Sequence, residues 1–182
     1  CFQKQTDAET FSQMLRERLA RFGLELSEEK TRLLRSGRFA ETDSRRKDGR
    51  KPETFNFLGF THVCGSRRSD GKFALIRRTI ASRMRKKLRE VKAEMKRCRD
   101  SPIKEQAAWL RSVLLGYYRY HAVPGNLTAM KQFHTEVIRL WYKTLKRRSQ
   151  KTRKAMWAGL TRYVRRWLPR PKVMHPYPNR RL

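Results

Sequence analysis

The side chains of this chain that could do chemistry are overwhelmingly cations and aromatics. Its aspartates are not paired. Asp7 begins a helical pattern, Asp48 and Asp70 precede glycines in turns, Asp43 sits in a polar stretch and Asp100 precedes a helix cap. Cys1, Cys64 and Cys98 are odd in number, far apart and in no metal-ligand spacing, which reads as reduced thiols. His62, His121, His134 and His175 are equally scattered, so no local spacing supports a zinc site. Against this, 46 Lys and Arg face 16 Asp and Glu, a net charge of +30. They are interleaved with four Trp, six Tyr and nine Phe. Arginine forks fit phosphate oxygens, and aromatic faces stack on unpaired bases. That chemistry is recognition of a polyanion, not bond making.

The candidate binding residues fall in three places. Arg83, Lys86 and Lys87, with Arg85, Arg89 and Lys92, avoid the apolar stripe of one helical pattern. Only Glu90 and Glu94 oppose them there, so phosphate contact is favoured over a mixed solvated face. Tyr117 and Tyr120 close a second helical pattern, before the turn Val123-Pro124-Gly125-Asn126. A third pattern carries Trp141 and ends in Lys146-Arg147-Arg148-Ser149-Gln150, followed by Arg153 and Lys154. At helical spacing most of these Tyr and Trp fill a core, leaving one or two to stack on bases. Arg147, Arg148, Gln150 and Arg153 then form a basic rim, with Pro124 and Asn126 in the turn beside it. Lys30 lies in a turn, where a nucleic-acid contact and a solvated lysine are equally supported.

The charge is unevenly spread. Residues 101–182 hold 19 Lys and Arg against Glu105 and Glu136 alone, and such self-repulsion is tolerated mainly when a partner neutralises it. Length fits one ordinary domain or two small ones, and the aromatic content excludes a disordered basic tail. No apolar run is long enough to span a bilayer, and none opens the chain as a signal segment.

The elements that must position these residues read as follows. Ala8, Phe11, Leu15, Leu19 and Phe22 predict a helix over 7–22, opened by a Thr6/Glu9 capping box and stopped by Gly23. Leu24-Glu25-Leu26 and residues 31–34 predict two short strands about a turn, and residues 37–51 an exposed mobile loop. Residues 55–63 predict one strand with a bulge or close approach at Gly59, and residues 73–76 its returning partner. Four helices follow. They have apolar positions at Ile80, Met84, Leu88, Val91 and Met95; at Ile103, Ala107, Leu110 and Leu114; at Met130, Phe133, Val137, Trp141 and Leu145; and at Met156, Leu160, Val164 and Trp167. Ser101-Pro102 opens the second and Asn126 caps the third, while Pro169 and Pro171 stop the fourth and the proline-spaced tail is not helical.

Several strings in this order resemble the reverse transcriptases (maturases) encoded by bacterial and organellar group II introns. Gly23-Leu24-Glu25-Leu26-Ser27-Glu28-Glu29-Lys30-Thr31 is similar to the block after that family's polymerase site, and Phe55-Asn56-Phe57-Leu58-Gly59-Phe60 to its last palm block, the primer-gripping hairpin. Residues 117–126 and 141–150, Trp167-Leu168-Pro169 and His175-Pro176-Tyr177-Pro178 are similar to the thumb and maturase region. The resemblance covers nearly the whole chain. It implies an α+β fold, with a short palm remnant of one helix and β-hairpins over residues 1–78 and an all-α thumb/maturase bundle over residues 79–182. It implies primer and template contacts at Lys30, Phe57, Leu58, Gly59, Phe60, Arg83, Lys86 and Lys87.

The family's Tyr-x-Asp-Asp block is expected immediately before Cys1 and is absent, as are its C-terminal DNA-binding and endonuclease modules. The chain is therefore expected to bear no catalytic residue and to be inactive alone. It would need no cofactor itself, magnesium serving the full-length enzyme, whose upstream palm and fingers would be partners. The expected function is to bind template–primer and intron RNA and to assist splicing and mobility in the bacterial cytoplasm, away from membranes. A stand-alone basic RNA-binding domain is the alternative, and a polymerase complemented in trans by a second chain is a third.

Overall fold

A computed structural model describes residues 2–49, 52–67, 70–148 and 153–176, without the side chains of residues 41, 45, 47, 48 and 153–158. Among the described residues the fold is mixed α+β, with six helices and one three-stranded antiparallel sheet. It forms two compact units, Cys1–Glu53 and Thr54–Leu182.

In the first unit α1 (Gln5–Ala20) begins two residues earlier than its periodicity predicts. The capping box does not close: Lys4 is the N-cap, without a side-chain bond, and Gln5 Nε2 donates to Glu9 Oε1 at 2.6 Å. Gly23, at φ +69°, ends the helix as expected. The expected hairpin of residues 24–34 does not form. A turn closed by Lys30 N and Thr31 N on Ser27 O is present, but no ladder flanks it. Two such short segments with no third strand cannot hold a sheet by themselves. The expected loop of residues 37–51 contains helix α2 (Ala40–Asp48). It has no apolar stripe to be read, and Asp43 is paired with Arg35 at 3.4 Å. Ala8 and Ala40 are the unit's buried hydrophobic residues among those described, while Phe11, Met14, Phe22, Leu24, Leu33 and Phe39 are exposed.

The second unit opens with strands β1 (Phe55–Phe57), β2 (Phe60–Ser66) and β3 (Phe73–Thr79), in that order across the sheet. The run of residues 55–63 is thus two strands, not one. Gly59 is no bulge but the second residue of a two-residue turn, with φ +45° at Leu58 and +81° at Gly59. Phe57 pairs with Phe60 across it, and Phe55 with His62. Positive φ at both central positions is what a twist-matched tight hairpin demands, and it suits glycine but not leucine. β2 and β3 pair from Phe60↔Thr79 to Ser66↔Phe73.

Helices α3 (Ala81–Arg97), α4 (Ile103–His121), α5 (Leu127–Lys146) and α6 (Arg153–Trp167) follow the predicted stripes. Met84, Val91 and Met95, Leu110 and Leu114, Met130, Phe133, Val137, Trp141 and Leu145, and Leu160 are all buried in one core. Each such side chain contributes about 1.5–3 kcal/mol by leaving water. α5 packs on α3, α4 and α6. Gln106, buried among them, accepts from Trp141 Nε1 at 2.9 Å and donates to the carbonyls of Cys98, Arg99 and Ser101, which fixes the α3–α4 connection. Residues 168–176 run as a non-helical strap over the end of α4. Tyr118 Oη donates to Pro169 O, and Met174 N and His175 N donate to Ala122 O.

Candidate nucleic-acid interface

The Leu58–Gly59 turn is fixed to the helices from several sides. Tyr120, on the last turn of α4, donates its hydroxyl to Leu58 O at 2.5 Å and stacks on Phe60 at 5.7 Å. Ile80 N, at the start of α3, donates to Gly59 O at 3.2 Å. A Cβ at Gly59 would lie 3.3 Å from Arg83 Nη1 and 3.3 Å from Tyr120 Cε1, a tight fit that adds to the preference for glycine set by φ. Leu58 in the left-handed region costs about 1–2 kcal/mol, comparable with what two backbone-carbonyl bonds return. Phe57 and Leu58 remain 58% and 67% exposed at the tip, with the exposed Arg83 beside them.

Beneath the turn lies a buried polar junction. Asn126 Oδ1 accepts from Thr79 N at 2.9 Å, and Asn126 Nδ2 donates to Thr79 Oγ1 and His121 O, both at 2.8 Å. Although Asn126 is the N-cap residue of α5, its side chain makes no cap bond. Thr79 Oγ1 is 3.3 Å from His121 Nδ1. Thr79 Oγ1 thus accepts from Asn126 and shares a hydrogen bond with His121 Nδ1 whose direction is set by the imidazole tautomer. Burial, and secondarily the Arg83 charge, lower the His121 pKa to about 4. Burial pushes the neighbouring Tyr117 phenol up to about 12. Neither ring changes charge near neutrality, so the junction keeps one pattern of hydrogen bonds there.

The predicted residues meet different fates. Phe57, Leu58, Gly59, Phe60, Arg83, Tyr120 and Asn126 are brought together in one corner. Tyr117 is buried, stacked on Phe133 at 3.7 Å and against His121 at 4.2 Å, so its ring faces are occupied within the protein. Pro124 is half-buried in the α4–α5 turn. Lys86 is exposed on α3, and Lys87, also exposed, pairs with Glu90 at 3.0 Å. Lys30 stands exposed on the turn of the first unit. Arg147 is exposed, whereas Arg148 spends its guanidinium on Ser101 O and Asp100 O, at 3.0 and 3.1 Å. Gln150 lies outside the described residues, as does the side chain of Arg153 at the start of α6. Thr79 and His121 are the partners that sequence reasoning missed; nothing in their spacing marks them.

Carboxylates are few and locally used. Glu90 holds Lys87, Glu94 holds Arg97 and Glu136 holds Arg139. Most cations of α3 are left to solvent or to a partner. Comparison with family models, with curated proteins and with solved structures finds no match.

The donor set for a magnesium pair can be tested on the aspartates present. Asp43 faces Arg35, Asp70 faces Arg67 and Lys72 N, Asp100 faces Arg99, and Asp7 accepts from Thr6. Asp48's side chain is not described. No two of the described aspartates pair, so they do not fit a two-metal centre. Nor do the described His, Cys, Asp and Glu gather in any group of three able to hold a metal ion. No helix among the described residues is long and apolar enough to cross a membrane.

Proposed function

We propose that this chain is the distal part of a group II intron reverse transcriptase, a palm remnant followed by a thumb/maturase bundle. It clamps the template–primer duplex and binds intron RNA, assisting splicing and mobility in the bacterial cytoplasm. The observation that carries the reading is the corner in which the Phe57-Leu58-Gly59-Phe60 turn is bonded to Ile80, the residue before α3, and to Tyr120. A primer end needs a rigid backbone feature beside phosphate-binding cations, and Arg83 stands next to Gly59. The exposed Phe11, Met14, Phe22, Leu24, Leu33 and Phe39 of the first unit fit a role as docking surface for the rest of the palm and fingers. Magnesium and the catalytic carboxylates would come from that part.

The experiment is a filter-binding titration with a recessed primer–template duplex against a blunt duplex, alongside primer extension. Preference for the recessed end, lost on Arg83→Ala, and no nucleotide incorporation by this chain alone are the expected results. Equal affinity for both ends would favour a basic RNA-binding domain without a polymerase role. Incorporation abolished by changing one of its own aspartates would overturn the assignment of the catalytic centre to another segment.

A further inference from the structure

α6 carries a feature unrelated to the hairpin corner. Thr161, Arg162, Arg165 and Arg166 line an open groove of about 390 Å³ on its surface. Arg162, Arg165 and Arg166 are spaced at three and four residues, the spacing that sets side chains side by side on one helical face. All three are exposed. The opposite side of the helix, with Leu160, Val164 and Trp167, packs on the core, so the groove points away from it. No Asp or Glu occurs anywhere after Glu136, and Glu136 is engaged by Arg139. The three guanidinium groups therefore have no carboxylate on their own helix, on the strap that follows or on the end of α5.

Three neighbouring guanidinium groups with no ion pair among the described residues repel one another, and an external anion would relieve that repulsion. We infer that the Arg162–Arg165–Arg166 groove is a second nucleic-acid site, taking consecutive phosphodiester groups of an RNA duplex backbone independently of any primer end. Guanidinium forks donate bidentately to phosphate oxygens, and the described lining of the groove holds no aromatic ring or amide that would read a base. Recognition there is by backbone and indifferent to sequence. The inference rests on the reading of the partner as nucleic acid, but it concerns different residues and a different ligand feature from the hairpin corner.

The test uses the full chain and a blunt RNA duplex, with binding measured across a salt series. The triple change Arg162→Gln, Arg165→Gln and Arg166→Gln should reduce the slope of log affinity against log salt by about 2–3, since each phosphate contact contributes about 0.9 for a duplex. The matching triple Arg→Lys variant should keep the slope and lose only part of the affinity, because lysine retains the charge and not the fork. Circular dichroism of both variants should match the parent. An unchanged slope in a folded Gln variant overturns the groove while leaving the hairpin reading standing. Loss confined to recessed duplexes overturns it as well, since that would assign the arginines to primer-end binding. Should the parent bind no RNA at all, the groove and the proposed function fail together.

Discussion

Asn126 offers the sharpest test, because two accounts of it predict opposite signs. As a helix cap, Asn126→Ala would cost about 1 kcal/mol and Asn126→Asp would be neutral, aspartate being as good a cap as asparagine. The structure instead spends the side chain on Thr79 N, Thr79 Oγ1 and His121 O. Alanine there leaves Thr79 N without an acceptor, a loss of about 1–3 kcal/mol for a buried donor, and removes two further bonds of about 0.5–1.5 kcal/mol each. His121 O keeps a second donor in Val123 N, which limits the damage, so roughly 2–4 kcal/mol is expected. Aspartate preserves the acceptor for Thr79 N but sets a buried carboxylate against the carbonyl of His121, so it should be no better than alanine. In urea, followed by helical circular dichroism, both variants should lose about 1–2 M in midpoint with an unchanged slope. An aspartate variant as stable as the parent, with alanine down by only about 1 kcal/mol, would refute the junction.

Tyr120→Phe removes only the bond to Leu58 O and keeps the stack on Phe60, so thermal unfolding should show a loss of about 0.5–1.5 kcal/mol, with faster amide exchange at Gly59. Gly59→Ala adds left-handed strain and crowds Arg83 and Tyr120; a loss of at least about 1–2 kcal/mol is expected, and an unchanged melting temperature would contradict the turn geometry. The pKa of His121 is lowered in the folded protein, so the unfolded chain binds the extra proton. Its contribution is complete above about 6.5, declines as pH falls from there and levels off below about 4. His134, lowered chiefly by burial, acts in the same direction, so the readout is the difference between the parent and His121→Gln across that window. Identical pH profiles would remove His121 from the account. Arg148→Ala should lower stability by up to about 1 kcal/mol, through the carbonyls of Asp100 and Ser101, whereas Arg147→Ala should leave unfolding unchanged and weaken RNA binding.

How far the sequence could be read depended on whether an element advertises an apolar period. α3 to α6 do, and their buried positions, from Met84 and Val91 through Trp141 to Leu160, are those the spacing picks out. α2 does not, because a nine-residue helix of charged and small residues has no stripe, and its polar composition imitates a loop. The alternation at residues 24–26 imitates a strand, but a strand is a pairing and no partner is available there. Gly59 carried a true signal of special backbone whose kind was ambiguous, since a bulge and a two-residue turn ask for the same residue. The site was legible in types and not in partners. Phe60, Arg83 and Asn126 stood out as an aromatic, a cation and a cap, while the bonds that join them span 47 residues at Thr79–Asn126 and 62 at Leu58–Tyr120. No local pattern encodes such distances.

That long reach bears on why the hairpin sits where it does. A two-stranded turn with leucine in a left-handed conformation is marginal alone. Here Leu58 is held by α4, Gly59 by the residue that opens α3, and Thr79, the last residue of β3 and the partner of Phe60, by the residue that opens α5. Each helix in turn is fixed by the apolar core and by the buried Gln106–Trp141 bond. The turn backbone is therefore tied to the starts of α3 and α5 and the end of α4, with the exposed Arg83 side chain beside it. A partner engaging the tip would meet a backbone turn already ordered by folding, which lowers the ordering cost of binding. It follows that changes in the junction should weaken binding by loosening the tip even where no altered side chain touches the ligand. Asn126→Ala, bound at a temperature where it remains folded, should lose affinity for a recessed duplex and keep the parent's salt slope, because no phosphate contact has been removed.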